Sequence, residues 1–162
     1  MSKLKIGVFG GHRGSYLASL LSTHPDAELV AVCDKFEPVL DKVREDAAKN
    51  GWDIACYTNF DDFIKHDMDA VVLANYATEH APFAIRCLNA GMHVLSEVMP
   101  SETPAQMVEL IETVERTGLV YAYAENYCYM KPSFEMWLRY QAGDIGEVQY
   151  GEAEYIHDCS AE

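Results

Sequence analysis

Short apolar runs alternate along this chain with stretches whose apolar residues recur every three or four positions, the spacing of one helical face. Lys5-Ile6-Gly7-Val8-Phe9 reads as a strand running into glycines, and Tyr16 to Leu21 as the helix after it, closed by His24-Pro25-Asp26. Leu29 to Cys33 is a second buried strand, ending at Asp34. Val39, Leu40, Val43 and Ala47 share a helical face within 37–49, and Asn50-Gly51 stops that helix. Ile54 to Tyr57 is a brief third strand, and Asn59 caps a short acidic helix through Phe63. Ala70 to Ala74 is a fourth strand, 79–90 a helix ended by Gly91, and His93 to Ser96 a fifth strand. Thr103-Pro104 opens a helix with its apolar stripe at Met107, Leu110, Ile111 and Val114, and Gly118 ends it. Leu119 to Ala124 is a sixth strand, and a last helix spans about Ser133 to Tyr140.

Strands apolar on both faces and separated by helices imply a parallel sheet covered on both sides. The expected fold class is α/β, a doubly wound parallel sheet of Rossmann type. From Gly146 the pattern changes. Glu147 to Tyr155 alternates polar and apolar residues at near period two, as a half-exposed strand would. The expected organisation is a dinucleotide-binding domain over 1–145 and, over 146–162, the first strand of a further α+β domain.

Composition narrows the function. The chain has 162 residues, 26 acidic against 12 basic, for a net charge of −14. Such a surface repels phosphate backbones and anionic lipid, so neither nucleic acid nor a membrane is an expected partner. No segment reaches the length of apolar residues that a bilayer span needs. Five dispersed cysteines, odd in number and without a CxxC pair, read as reduced structural thiols in a cytoplasmic protein.

Chemistry concentrates at the strand exits. A pyrophosphate needs a tight turn, a closely approaching backbone and a helix N-terminus. Gly10-Gly11-His12-Arg13-Gly14 offers these between the first strand and helix. In the G-x-G-x-x-G register Gly10 fits the first place, while His12 and Ser15 fall on the other two. Alternatively the loop is one residue shorter and uses Gly14 for helix entry, with Arg13 free to pair with phosphate. Asp34 lies twenty residues past Gly14, where a carboxylate accepts both ribose hydroxyls of NAD. Lys35 beside it leaves NADP possible. Asn75-Tyr76, Ser96-Glu97 and Glu125-Asn126 stand at further strand exits, and Glu97 and Glu125 are acid–base candidates. His80 is placed either to donate to an anion or to cap locally. His157-Asp158-Cys159 alternates faces on a strand and lacks a fourth ligand, so no metal is expected.

IGVFGGHRG at 6–14, AVCD at 31–34, DAVVLANYATEHAPFAIRCLNAGMHVLSE at 69–97 and GDIGEVQYGEAEYIHD at 143–158 resemble the Gfo/Idh/MocA family of nicotinamide-dependent oxidoreductases. The likeness covers nearly the whole chain, as that family's N-terminal Rossmann domain. It implies NAD, with NADP possible, held by Gly10, Gly11, His12, Arg13 and Gly14 with Asp34 on the adenosine ribose. It implies Asn75 and Tyr76 along the cofactor in place of the usual Thr-Pro, and His80 at the family histidine. Glu97 falls beside the nicotinamide and Asn126 near the substrate side. The implied parent activity is hydride transfer between a sugar- or cyclitol-like secondary alcohol and the nicotinamide, in a homo-oligomer, a dimer by family precedent. The family's Glu-Lys-Pro reads Glu97-Val98-Met99 here, and Val98 cannot move a proton. Tyr127, Tyr129 and His157 are the candidates in its place, and Tyr127 and His157 stand with Glu97 as the catalytic candidates. This chain by itself is expected to bind dinucleotide without turnover, and the alternative reading is a non-catalytic dinucleotide-binding or sensing module. A purely structural fragment and a Rossmann domain for another adenosine ligand, such as S-adenosylmethionine, are the other readings.

Overall fold

The computed structural model describes residues 2–154 and 156. They form two compact units, one up to Ala124 and the other from Glu125.

The first unit is a parallel sheet in the order β3-β2-β1-β4-β5-β6. Its strands are β1 (Leu4–Phe9), β2 (Ala27–Cys33), β3 (Ala55–Tyr57), β4 (Ala70–Leu73), β5 (His93–Ser96) and β6 (Tyr121–Tyr123). The helices between them are α1 (Ser15–Thr23), α2 (Glu37–Asn50), α3 (Phe60–Phe63), α4 (His80–Asn89) and α5 (Pro104–Thr117). The order reverses between β1 and β4, whose register pairs Val8 with Val72 and Phe9 with Leu73. A crevice opens at such a reversal because the loops after the two strands diverge to opposite sides.

Alternation along the strands feeds two cores. Val8, Val32 and Val72 point to the face shared with Leu40 of α2, while Val71 and Leu73 point to Phe63, Leu88 and Leu110. Burying both faces explains why these strands read as unbroken apolar runs. Local chemistry sets the helix ends. Gly51 and Gly118 close α2 and α5 in the left-handed conformation (φ +69° and +66°). Thr103 and Gln106 form a reciprocal capping box at the start of α5.

In the second unit α6 (Lys131–Ala142) starts earlier than the apolar spacing suggests, because Pro132 suits the first turn. Residues 147–154 form no strand, although their alternation predicts one. A strand needs a neighbour for its backbone groups, and no described segment pairs with this one. Tyr155 and His157 lie outside the described residues. Among the described residues no helix is long and apolar enough to cross a membrane.

Candidate functional site at the sheet reversal

The loop after β1 is shaped by close approach. Gly10 has φ +95°, and a Cβ there would lie 2.4 Å from the backbone of Ala74, at the exit of β4. Its N–H donates to the Cys33 carbonyl (2.9 Å) and its carbonyl accepts from the Gly14 N–H (2.8 Å). Gly14 is the N-cap of α1, and a Cβ on it would press 2.5 Å from Val8 Cγ1 and 2.6 Å from the Gly10 carbonyl. Of the two registers open from the sequence, the structure therefore has the shorter one, with Gly14 seating helix on strand. Gly11 is held near Val39, at 2.8 Å from a would-be Cβ.

Asp34 lies against this loop. Its Oδ2 accepts from the Gly11 N–H at 2.8 Å and the His12 N–H at 3.4 Å, and its Oδ1 from the Phe36 N–H at 2.9 Å. Three backbone donors fix the carboxylate at the mouth of a crevice of about 710 Å³. Gly10, His12, Arg13, Asp34, Asn75 and Tyr76 are among its walls. Its floor is aromatic: the Phe9, Phe60 and Phe83 rings meet with centroids 4.5–4.8 Å apart. Across the mouth, Lys35 Nζ sits 4.6 Å from the centre of the Tyr76 ring.

At the next strand exit Glu97 is largely buried and pairs with Arg13 of the glycine loop at 3.5 Å. Arg13 thus faces a carboxylate just past the end of β5 as well as the crevice. The peptide after Val98 is cis. The Asn75 carboxamide is buried, and among the described residues neither its oxygen nor its nitrogen has a partner. His80 does not open into the crevice: it is 1% exposed, and its ring nitrogens face the carbonyls of Met99 and Asn75. Any effect of His80 on a ligand is therefore transmitted through those loops. Asn126 and Tyr127 belong to the second unit, the first just before and the second at the start of a short 3-10 turn. His157 falls outside the described residues. Among the described residues no cluster of three or more metal-ligating side chains exists.

Burial pushes the thiols of Cys33 and Cys87 up to about 12, which leaves both unreactive. Burial also raises the Tyr121 hydroxyl, opposed by the neighbouring Ser96.

The residues fit a dinucleotide. A backbone kept bare of Cβ atoms, a carboxylate held at the second strand's exit and an unpartnered amide in the wall are what a diphosphate and two ribose hydroxyls require. The family described as "Oxidoreductase family, NAD-binding Rossmann fold" matches residues 4–125. The chain belongs to the Gfo/Idh/MocA family. It is similar to "Glycosyl hydrolase family 109 protein 2" of Shewanella sp. (strain ANA-3), 29% identical over 98% of this chain. A Shewanella baltica protein named for the same glycosyl hydrolase family is 30% identical over the same share. The chain spans 36% of the length of each of these relatives. Among solved structures, a probable dehydrogenase from Thermotoga maritima superposes with TM-score 0.75 at 28% identity, over 88% of this chain and 42% of that one. Scyllo-inositol dehydrogenase from Lactobacillus casei, solved with NAD(H) and scyllo-inositol, superposes with TM-score 0.79 over 90% of this chain and 43% of that one. At 23% identity this second likeness speaks to the fold.

Proposed function

We propose that this Gfo/Idh/MocA chain supplies the NAD(H)-binding part of an enzyme that moves hydride between the nicotinamide and a secondary alcohol of a sugar or cyclitol. The observation that carries the reading is the Asp34 carboxylate pinned to the Gly11 amide at the sheet reversal. There it accepts the two ribose hydroxyls and disfavours a 2′-phosphate, so NAD is preferred to NADP. The loop amides and Arg13 take the diphosphate, and Asn75 and Tyr76 line the cofactor's path. Glu97 stands beside the nicotinamide, which when bound accepts or returns the hydride. Val98 replaces the family lysine, so proton handling passes to another group, with Tyr127 and His157 the candidates and Asn126 on the substrate side. Residues 1–145 constitute the cofactor domain and residues from 146 onward begin the next one. The parent enzyme is a homo-oligomer. The polyol assignment draws support from the scyllo-inositol bound to the Lactobacillus casei neighbour.

A second reading is favoured by the names of the relatives, which match 98% of the chain. In it the hydride is borrowed and returned within a glycoside cleavage. A third, a binding or sensing module without turnover, is favoured by Val98.

Calorimetric melting of this chain with and without NADH tests the common core. At a hundred times the dissociation constant, binding adds about 2.7 kcal/mol, or a rise of about 5–10 °C. No rise with millimolar NADH or NADPH refutes all three readings. In a full-length parent, NADH formation on polyols, release of nitrophenol from aryl glycosides, or binding with neither separates them in that order.

A further inference from the structure

The backbone ladder between β4 and β5 ends where the crevice begins. Its last links are the Leu73–Ser96 pair and the Glu97 N–H on the Leu73 carbonyl at 2.9 Å. Two residues further along each strand exit, the ring of His80 takes over. Nδ1 lies 2.9 Å from the Met99 carbonyl and Nε2 lies 3.3 Å from the Asn75 carbonyl. The ring is buried at the start of α4, so it rides on a helix already packed against the sheet. Both facing groups are acceptors, and a neutral imidazole has one N–H to give. Nδ1 makes the shorter contact, so the hydrogen is assigned to it as a donor to the Met99 carbonyl.

We propose that His80 is a positioning residue which, as an Nδ1–H donor to Met99, fixes the spacing between the β4 and β5 exits. The two loops it joins carry the unpartnered Asn75 carboxamide and the Glu97-Val98-Met99 turn. Strand exits that flank a ligand must part, and once parted they lose the ladder that kept them in register. A buried side chain between their carbonyls restores a fixed distance while leaving the space above it open. His80 thereby sets how far Glu97 stands from the Asn75 wall. The proposal rests on the cofactor-binding reading for its consequence, though not for its geometry.

The test uses the whole chain. With ¹⁵N-histidine labelling, and His80 assigned by the signal lost in H80N, the ring shows a proton on Nδ1. A ring protonated on Nε2 alone overturns the proposal. NADH titrations then separate positioning from space filling. Asn puts its amide nitrogen near the place of Nδ1, so H80N stays within about twofold of wild type. Gln reaches the place of Nε2 instead, so H80Q weakens NADH about fivefold, one net hydrogen bond. H80N weakening NADH as much as H80Q, or H80Q binding as wild type does, overturns the proposal. If wild type binds no NADH the cofactor reading has failed, and the Nδ1 proton alone then decides the bridge.

Discussion

Gly10→Ala isolates the close approach on which the crevice depends. Gly10 and Gly91 have nearly the same backbone conformation, φ +95° and +91°, so alanine at either meets the same left-handed penalty of about 1–2 kcal/mol. Their surroundings differ. A Cβ at Gly91 meets nothing within 4 Å, whereas one at Gly10 lies 2.4 Å from the Ala74 carbonyl group and 2.5 Å from the Asn75 nitrogen. Relieving that overlap requires the β1 and β4 exits to part by about 1 Å, since carbon contacts settle near 3.5–4 Å. The parting strains the Ala74 N–H bond to the Phe9 carbonyl (2.7 Å) and the Gly10 N–H bond to Cys33 (2.9 Å), each worth about 1 kcal/mol net. Gly10→Ala therefore loses about 3–4 kcal/mol against about 1–2 for Gly91→Ala. For a chain of this size that is a fall in melting temperature of roughly 10 °C against roughly 4 °C. In scanning calorimetry with NADH, Gly91→Ala keeps the ligand-induced rise and Gly10→Ala loses it. Equal losses of stability, or an intact NADH response in Gly10→Ala, would refute the packing of the loop on Ala74.

Asp34→Ala removes the acceptor for three backbone N–H groups, so it destabilises by about 1–3 kcal/mol in urea melts. In fluorescence titrations it weakens NADH more than NADPH, because the lost charge also repelled the 2′-phosphate; the reverse order removes Asp34 from the ribose site. Burial raises the Cys33 and Cys87 thiols to about 12 in the fold, against about 9 when exposed. A raised value means the folded chain keeps these protons longer than the unfolded one. The stability is thus complete below pH 9 and falls above it, by about 1.4 kcal/mol per pH unit for each thiol until pH 12. Melting temperatures from pH 8 to 11 check this, and a profile as steep in a Cys33→Ala, Cys87→Ala double variant contradicts it. At pH 8 peptide mapping after iodoacetamide finds both thiols unlabelled until urea is added; labelling of either in the native chain contradicts their burial.

Much of the sheet was legible because its strands are buried on both faces and its helices end on local signals. Gly51, Gly118 and the Thr103-Pro104 pair mark their helix ends through their own backbone preferences, which no tertiary contact has to supply. The 147–154 segment alternates as a strand does yet forms none among the described residues, because alternation reports a preference while a strand also needs a neighbour. At the crevice, spacing alone led to Asp34 and the glycine loop, since a turn, a helix entry and a strand exit are local to the chain. The Arg13–Glu97 pair, the Lys35–Tyr76 contact and the Phe9, Phe60 and Phe83 floor join elements distant in sequence, and no local pattern signals them. His80 shows the limit most sharply. Its place at a helix start suggested a donor to an anion or a cap, and only the burial of the ring turns its nitrogens onto two strand exits.

The two carboxylates beside the glycine loop are held with very different firmness, and this divides the crevice. Asp34 accepts from three backbone donors that belong to the loop and to the start of the next helix, so moving it would strip all three. Among the described residues the Glu97 side chain has one ion pair, at 3.5 Å with Arg13, whose side chain is 69% exposed. Such exposed pairs contribute about 0–1 kcal/mol and weaken with salt. A diphosphate approaching the loop competes for Arg13 and meets little resistance, whereas the Asp34 side is already formed. On the proposed binding mode the Asp34 side of the crevice is thus rigid, while Arg13 on its wall leaves Glu97 to turn to phosphate. A chain carrying a net charge of −14 gains from this arrangement. Its few cations near the crevice, Arg13 and Lys35, are parked on a weak pair and on a ring, and both are free to meet an anion without breaking the fold.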